Sequence, residues 1–221
     1  MKKKYMLLLA AGALCISTAV GGSLAAGNVE SKTVLQEISE KSLGISIFSG
    51  YTNNHGYVKT NIEVMPGENH ALNYRIVNDK ENGYDLYARV RLFFEWKPEA
   101  LMEKEQTSHF MMPMLDGKAY PLVKDYKHQI HMGDWIVAYC DSTEAILYYT
   151  KPMAYGDSVS VLDAISFSDQ MGNAYAGAVF DLQAEVDAVQ VRQSADAIAA
   201  EWGVFPKIKQ GVIVSVSETR E

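Results

Sequence analysis

The stretch Tyr84–Trp96, which reads Tyr-Asp-Leu-Tyr-Ala-Arg-Val-Arg-Leu-Phe-Phe-Glu-Trp, decides the fold. Every second side chain is apolar, while the residues between them include two arginines and a glutamate. Alternation over this length predicts a β-strand with one buried face and a second face turned to water or a partner. The two faces are Leu86, Ala88, Val90, Leu92, Phe94 and Trp96, and Tyr87, Arg89, Arg91, Phe93 and Glu95.

The same period of two predicts further strands along the chain. They fall at residues 43–48, 57–64, 71–77, 134–140, 145–150, 158–168, 178–190 and 211–217, with turns of Gly, Asn, Asp and Pro between them. Ser194–Glu201 is predicted to be a short helix that ends at Gly203, because Ala195, Ile198 and Trp202 would share a face. Residues 97–130 lack this regularity and predict a long irregular insertion. The fold class that follows is an all-β, antiparallel, jelly-roll-like sandwich with one short C-terminal helix.

The composition and net charge of the chain argue against some classes of binding partner. The chain has 221 residues, of which 48% are hydrophobic and 21% are charged, with a formal net charge of −7. Removal of Lys2, Lys3 and Lys4 with an N-terminal signal leaves 17 basic against 27 acidic residues, a net charge of −10. So acidic a chain is a poor candidate for binding nucleic acid or an anionic membrane.

The N-terminus has the three parts of a secretory signal. Lysines at positions 2–4 precede an apolar run from Met6 to Leu14, and small residues follow at 21–26. Ser23 and Ala25 supply the small side chains required before a cut that follows Ala25, and a cut after Ala26 fits less well. An uncleaved membrane anchor is the alternative, although glycines and hydroxyl residues dilute the apolar run.

These features predict four parts. They are a signal peptide at residues 1–25, an N-terminal extension at 26–42, a β-sandwich at 43–204 with the insertion at about 97–130, and a C-terminal tail at 205–221.

Residues with reactive side chains form no recognisable catalytic motif. His128 and His131 could share a helical face and bind a metal with a third ligand, but a solvated loop explains them equally well. The sequence contains no His-Glu-x-x-His and no Gly-x-Ser-x-Gly. Cys140 follows an apolar run and predicts a buried, inert thiol without a disulfide partner. We therefore expect no catalytic residue, no metal and no cofactor, although a triad assembled by folding stays open.

Aromatic residues on adjacent predicted strands offer one alternative. Trp135, Tyr139, Tyr148 and Tyr149 would stack on sugars if their rings lay on an exposed sheet face, and would form core if they faced inward. We favour the interpretation that these rings face inward and form core. If they faced outward, the protein would be a monomeric, glycan-binding surface module.

Several segments, taken in order, resemble TasA and camelysin-like exported proteins. The signal ends in Gly-Gly-Ser-Leu-Ala-Ala, as in substrates of the SipW-type signal peptidase. The segments Ile62–Glu68 (IEVMPGE), Tyr74–Asn78 (YRIVN) and Tyr87–Val90 (YARV) resemble that family's Pro-Gly-Asp/Glu, V-x-N and Y-x-R-V signature. Its C-terminal half is matched by Trp135, Leu147–Tyr149, Gly172–Tyr175, Ala188–Gln190 and Ala200–Val204.

The resemblance implies a non-enzymatic, jelly-roll subunit secreted to the cell surface or biofilm matrix of a Gram-positive bacterium. In that family the N-terminal segment of one subunit adds as a strand to the next, so the implied partner is a second copy or a related matrix subunit, with the signal peptidase as a partner during export. The candidate donor strand lies within residues 26–42, and its apolar residues are Val29, Val34, Leu35 and Ile38. Residues 211–217 are a rival strand. Some family members are described as metalloproteases, an activity that the missing zinc motif does not support here.

Overall fold

A computed structural model describes residues 43–81, 83–97, 110–172, 175–192 and 194–220. The predicted signal peptide and the predicted donor strand lie outside these residues. The strands are β1 (Ile45–Ser49), β2 (Thr52–Asn53), β3 (Tyr57–Glu63), β4 (Asn69–Asn78), β5 (Leu86–Trp96), β6 (Met111–Leu115), β7 (Lys118–Ala119), β8 (Ile130–Met132), β9 (Trp135–Cys140), β10 (Glu144–Tyr149), β11 (Ser158–Phe167), β12 (Val179–Gln190), β13 (Phe205–Lys209) and β14 (Val212–Ser217), and the α-helix is α1 (Ser194–Trp202).

Two antiparallel six-stranded sheets form the sandwich, as the alternating sequence predicts. Sheet A has the order β2-β1-β4-β11-β6-β7 and sheet B the order β3-β12-β5-β10-β9-β8. Successive long strands cross from one sheet to the other, with the β9–β10 hairpin as the exception, which is the jelly-roll-like pattern. The core between the sheets takes most of the predicted buried face of β5, from Ala88 to Phe94, together with Tyr74 of β4 and Phe180 of β12.

A third layer covers part of sheet B on its outer side. Helix α1 and the β13–β14 hairpin enclose a second apolar core, to which they contribute Ile198, Trp202 and Ile213. The Tyr87 hydroxyl donates to Gly211 O (2.7 Å) at the tip of that hairpin. The segment predicted as a C-terminal tail is therefore a paired hairpin packed on the sandwich. Residues 211–217, the rival strand of the sequence analysis, already pair with β13 through β14.

The described part of the predicted irregular insertion contains regular secondary structure. Residues 110–130 contain β6 and β7, and β6 pairs with β11 inside sheet A from Met111 to Met114. A 3₁₀ turn at Tyr126–His128 follows, with Asp125 as its N-cap. The prediction was wrong here because Pro113 and the neighbouring methionines hide the period of two, and because β6 is short.

Candidate functional site

Strand β3 is an open edge of sheet B. It pairs with β12 along its whole length, from Tyr57 opposite Glu185 to Glu63 opposite Val179, and β12 is its single strand partner among the described residues. Val58 and Ile62 are buried in the core, while the alternate side chains of Tyr57, Lys59 and Glu63 are exposed. Open main-chain groups along an edge are a template for another strand.

The direction of the main-chain groups follows from the bonds at the two ends of β3. Gly56 O accepts from Val186 N–H, and Val64 N–H donates to Ala178 O, so the even-numbered residues between them bond to β12. The N–H and C=O groups of Lys59, Asn61 and Glu63 consequently point away from the sheet. The edge is long enough to accept a strand of several residues.

A buried carboxylate lies directly beside this edge on the outer face. Asp181 of β12 stands opposite Asn61, and its side chain is only 3% exposed. Its Oδ2 lies 2.9 Å from Nζ of Lys59 and 2.5 Å from Nζ of Lys97. Burial alone would raise the pKa of Asp181, but the hydrogen bonds from Lys97 and Lys59 outweigh burial and hold that pKa below its usual value.

The same face continues as a ladder of ion pairs between β5 and β12. Arg91 lies 2.7 Å from Glu185 and Arg89 lies 2.7 Å from Asp187, each directly across the sheet from its partner. These charges satisfy one another. They keep the uncovered part of the outer face polar, as cross-strand pairs do.

In the third layer, the edge of β14 that does not pair with β13 is covered by side chains. The carboxamide of Gln129 donates to Val216 O (2.9 Å) and accepts from Val216 N–H (3.0 Å), which is the bonding of a neighbouring strand residue. His131 Nε2 lies 3.1 Å from Val214 O on the same strand. The edge of β14 is thus capped by side chains, whereas no described group caps the outward-pointing main chain of Lys59, Asn61 and Glu63 in β3.

Sheet A has a shorter open stretch on the same flank as β3. Strand β1 ends opposite Tyr74, so Asn69–Leu72 of β4 have no partner on that side among the described residues. The Tyr51 side chain, in the turn after β1, is fully exposed. A strand in this notch would continue the line of β1.

A groove lies on the third layer. Its volume is about 670 Å³, and it lies between α1, the hairpin and the 3₁₀ turn, with Tyr126, Phe205 and Lys207 among its lining residues. Asn78 Oδ1 is a buried side-chain atom without a hydrogen bond in the described part of the chain, and the buried polar atoms of His70, Arg91 and Asp181 are in ion pairs; none of these four residues lines the groove. The groove therefore has no polar group that requires a ligand.

The residues considered for chemistry are dispersed or buried. His128 and His131 are exposed and engage Asp125 and Val214, and no cluster of three or more His, Cys, Asp or Glu able to hold a metal occurs among the described residues. Cys140 is buried, and this burial raises the pKa of its thiol to about 12. The sequence predicts a buried, inert thiol; its burial is confirmed, and its inertness stays a prediction.

The aromatic row does not form an exposed platform. Trp135 and Tyr149 are buried in the core between the sheets, while Tyr148 is buried beneath α1 against Trp202, with ring centroids 5.5 Å apart. Tyr139 is half-buried and donates to Asp141 (2.8 Å). The favoured prediction, that these rings are mainly core, is confirmed.

In the described part of the chain, no helix is both long and apolar enough to cross a bilayer. Comparison with known proteins finds no significant match, whether to a family model, to a curated protein or to a solved structure.

Proposed function

We propose that this protein is an exported, non-enzymatic structural protein of the cell surface or biofilm matrix that assembles through its open sheet edges. The observation that carries the proposal is the uncapped main chain of β3 and of the first half of β4, which lie on one flank of the sandwich. The N-terminal signal pattern and the resemblance to TasA and camelysin-like proteins support export and an extracellular role.

Polymerisation proceeds by donor-strand addition. Residues 26–42 of one mature subunit add to the notch beside Asn69–Leu72 of the next, where they extend the line of β1 and satisfy the main chain of β4. A contact between two different surfaces repeats from subunit to subunit, so it produces a filament unless the rotation closes a ring.

Electron microscopy of the purified mature protein tests this function. We expect filaments from the chain that begins at Ala26, and dispersed particles when residues 26–41 are deleted. A second variant, Val34→Ser with Ile38→Ser, keeps the length of the extension and removes two of its apolar groups, and we expect it to assemble poorly. Unchanged filaments from the deletion variant would refute donor-strand addition, and particles from the intact mature chain would refute assembly itself.

A further inference from the structure

We propose that β3 pairs antiparallel with β3 of a second copy of this chain, with Asn61 of the two copies facing each other across a twofold axis. This inference rests on the proposed structural role and adds a second contact to it, separate from the donor strand. Two six-stranded B sheets would become one continuous sheet.

Self-complementarity of the β3 sequence supports this register. Antiparallel pairing about Asn61 sets Lys59 opposite Glu63 twice, once on each side of the axis. It also brings Tyr57, 46% exposed, close to Met65, 48% exposed, in the turn just after β3 of the partner, so that two exposed apolar side chains can cover each other. Opposite charges and apolar pairs directly across a sheet are the stabilising combinations.

The main chain allows few other registers. The outward-pointing groups belong to odd-numbered residues, so two copies can slide only in steps of two residues. If the partner strand slides by two residues so that the twofold axis moves towards the start of β3, Lys59 lies opposite Asn61 and both charge pairs are lost. A further slide of two residues places Lys59 opposite Lys59 of the partner. A step the other way places Lys59 opposite Met65. The register about Asn61 is the one that pairs each lysine with a glutamate.

Lys59 by itself would argue against this contact, because a lysine on an edge strand commonly prevents strand addition. Here the ammonium group is already held by the buried Asp181, and its side chain remains 41% exposed. The partner's Glu63 would approach the ammonium group from the open side. Glu63 has no described ion pair within its own chain, so it is available to the second copy.

Disulfide trapping tests the register. The mature chain keeps Cys140 as its one cysteine, and that thiol is buried. Any disulfide between two copies should therefore form through the introduced cysteine. Under mild oxidation we expect Asn61→Cys to form covalent dimers. Glu63→Cys, whose two copies lie apart in this register, should not exceed the background set by Tyr51→Cys at a fully exposed position. A yield from Asn61→Cys at that background would overturn the proposal.

Sedimentation gives an independent measurement. In the mature chain without residues 26–41 we expect a concentration-dependent dimer that Glu63→Lys weakens about tenfold, because both charge pairs become like-charge pairs. Loss of Asn61→Cys cross-linking on removal of residues 26–41 would overturn the pairing of β3 with β3. Filaments without this cross-link would refute the β3 dimer and leave the donor-strand function standing. Cross-linked dimers without filaments would refute filament assembly and leave the β3 dimer standing.

Discussion

Replacement of Gln129 by methionine tests whether one side chain holds the third layer against the sandwich. Gln129 Nε2 donates to Tyr126 O and Val216 O, both at 2.9 Å, and Oε1 accepts from Val216 N–H. Methionine has a similar volume and forms none of these bonds. At roughly 1 kcal/mol for each bond in a half-buried site, the free energy of unfolding should fall by about 2–3 kcal/mol. For a domain of this size the melting temperature should fall by roughly 5–10 °C.

Urea unfolding followed by tryptophan fluorescence measures this change, and Gln129→Glu is the matched variant. A carboxylate accepts from Val216 N–H but cannot donate to the carbonyls of Val216 or Tyr126, so this variant should also be destabilised at neutral pH. Protonation restores a donor, which raises the pKa of the introduced carboxyl group in the folded state. The deficit relative to wild type should therefore shrink as the pH falls through that pKa. A Gln129→Met protein within about 0.5 kcal/mol of wild type would refute the reasoning.

Three further changes address the core, the buried carboxylate and the thiol. Ile213→Ala, at a fully buried site in the hairpin, should cost about 2–5 kcal/mol in urea unfolding, and Ile208→Ala, at a half-exposed site, should cost clearly less; equal losses would contradict the second core. Because the pKa of Asp181 is lowered in the folded state, its carboxylate stabilises the fold above its unfolded-state pKa, and this stabilisation disappears as the pH falls through its folded-state pKa. In Asp181→Asn the free energy of unfolding should therefore decrease less steeply as the pH is lowered through the acidic range. Cys140 should react with an aromatic disulfide reagent at pH 8 only after denaturant is added, and rapid labelling of the native protein would contradict its burial.

The predictable part of the fold is the part in which one side of a strand is polar. In β5 the alternation from Leu86 to Trp96 identifies the strand and its buried face, and β12 is recognised in the same way. The extent of the third layer is less visible. Tyr87 looks like an exposed member of a polar face until α1 and the hairpin cover it, and covering is a long-range contact that no local pattern records.

The β13–β14 hairpin carried a signal that was easy to miss. Its turn, Gln210-Gly211, has positive φ at both residues (51° and 77°), the conformation that tight hairpins require. Asn-Gly or Asp-Gly would have predicted a tight hairpin turn from the sequence, whereas glutamine is uncommon before the glycine of such turns. The open edge of β3 could not be predicted either, because an unpaired strand has the same sequence pattern as a paired one.

Sheet B is enclosed to different degrees across its width. Strands β9 and β10 lie between two apolar cores, so Ile136, Val137, Leu147 and Tyr148 are fully buried although they point to opposite faces. Amide protons should accordingly exchange with solvent most slowly there and fastest at β3. We therefore expect the molecule to loosen at the β3 margin while its centre stays intact, so the pairing that we propose for β3 would disturb only that margin.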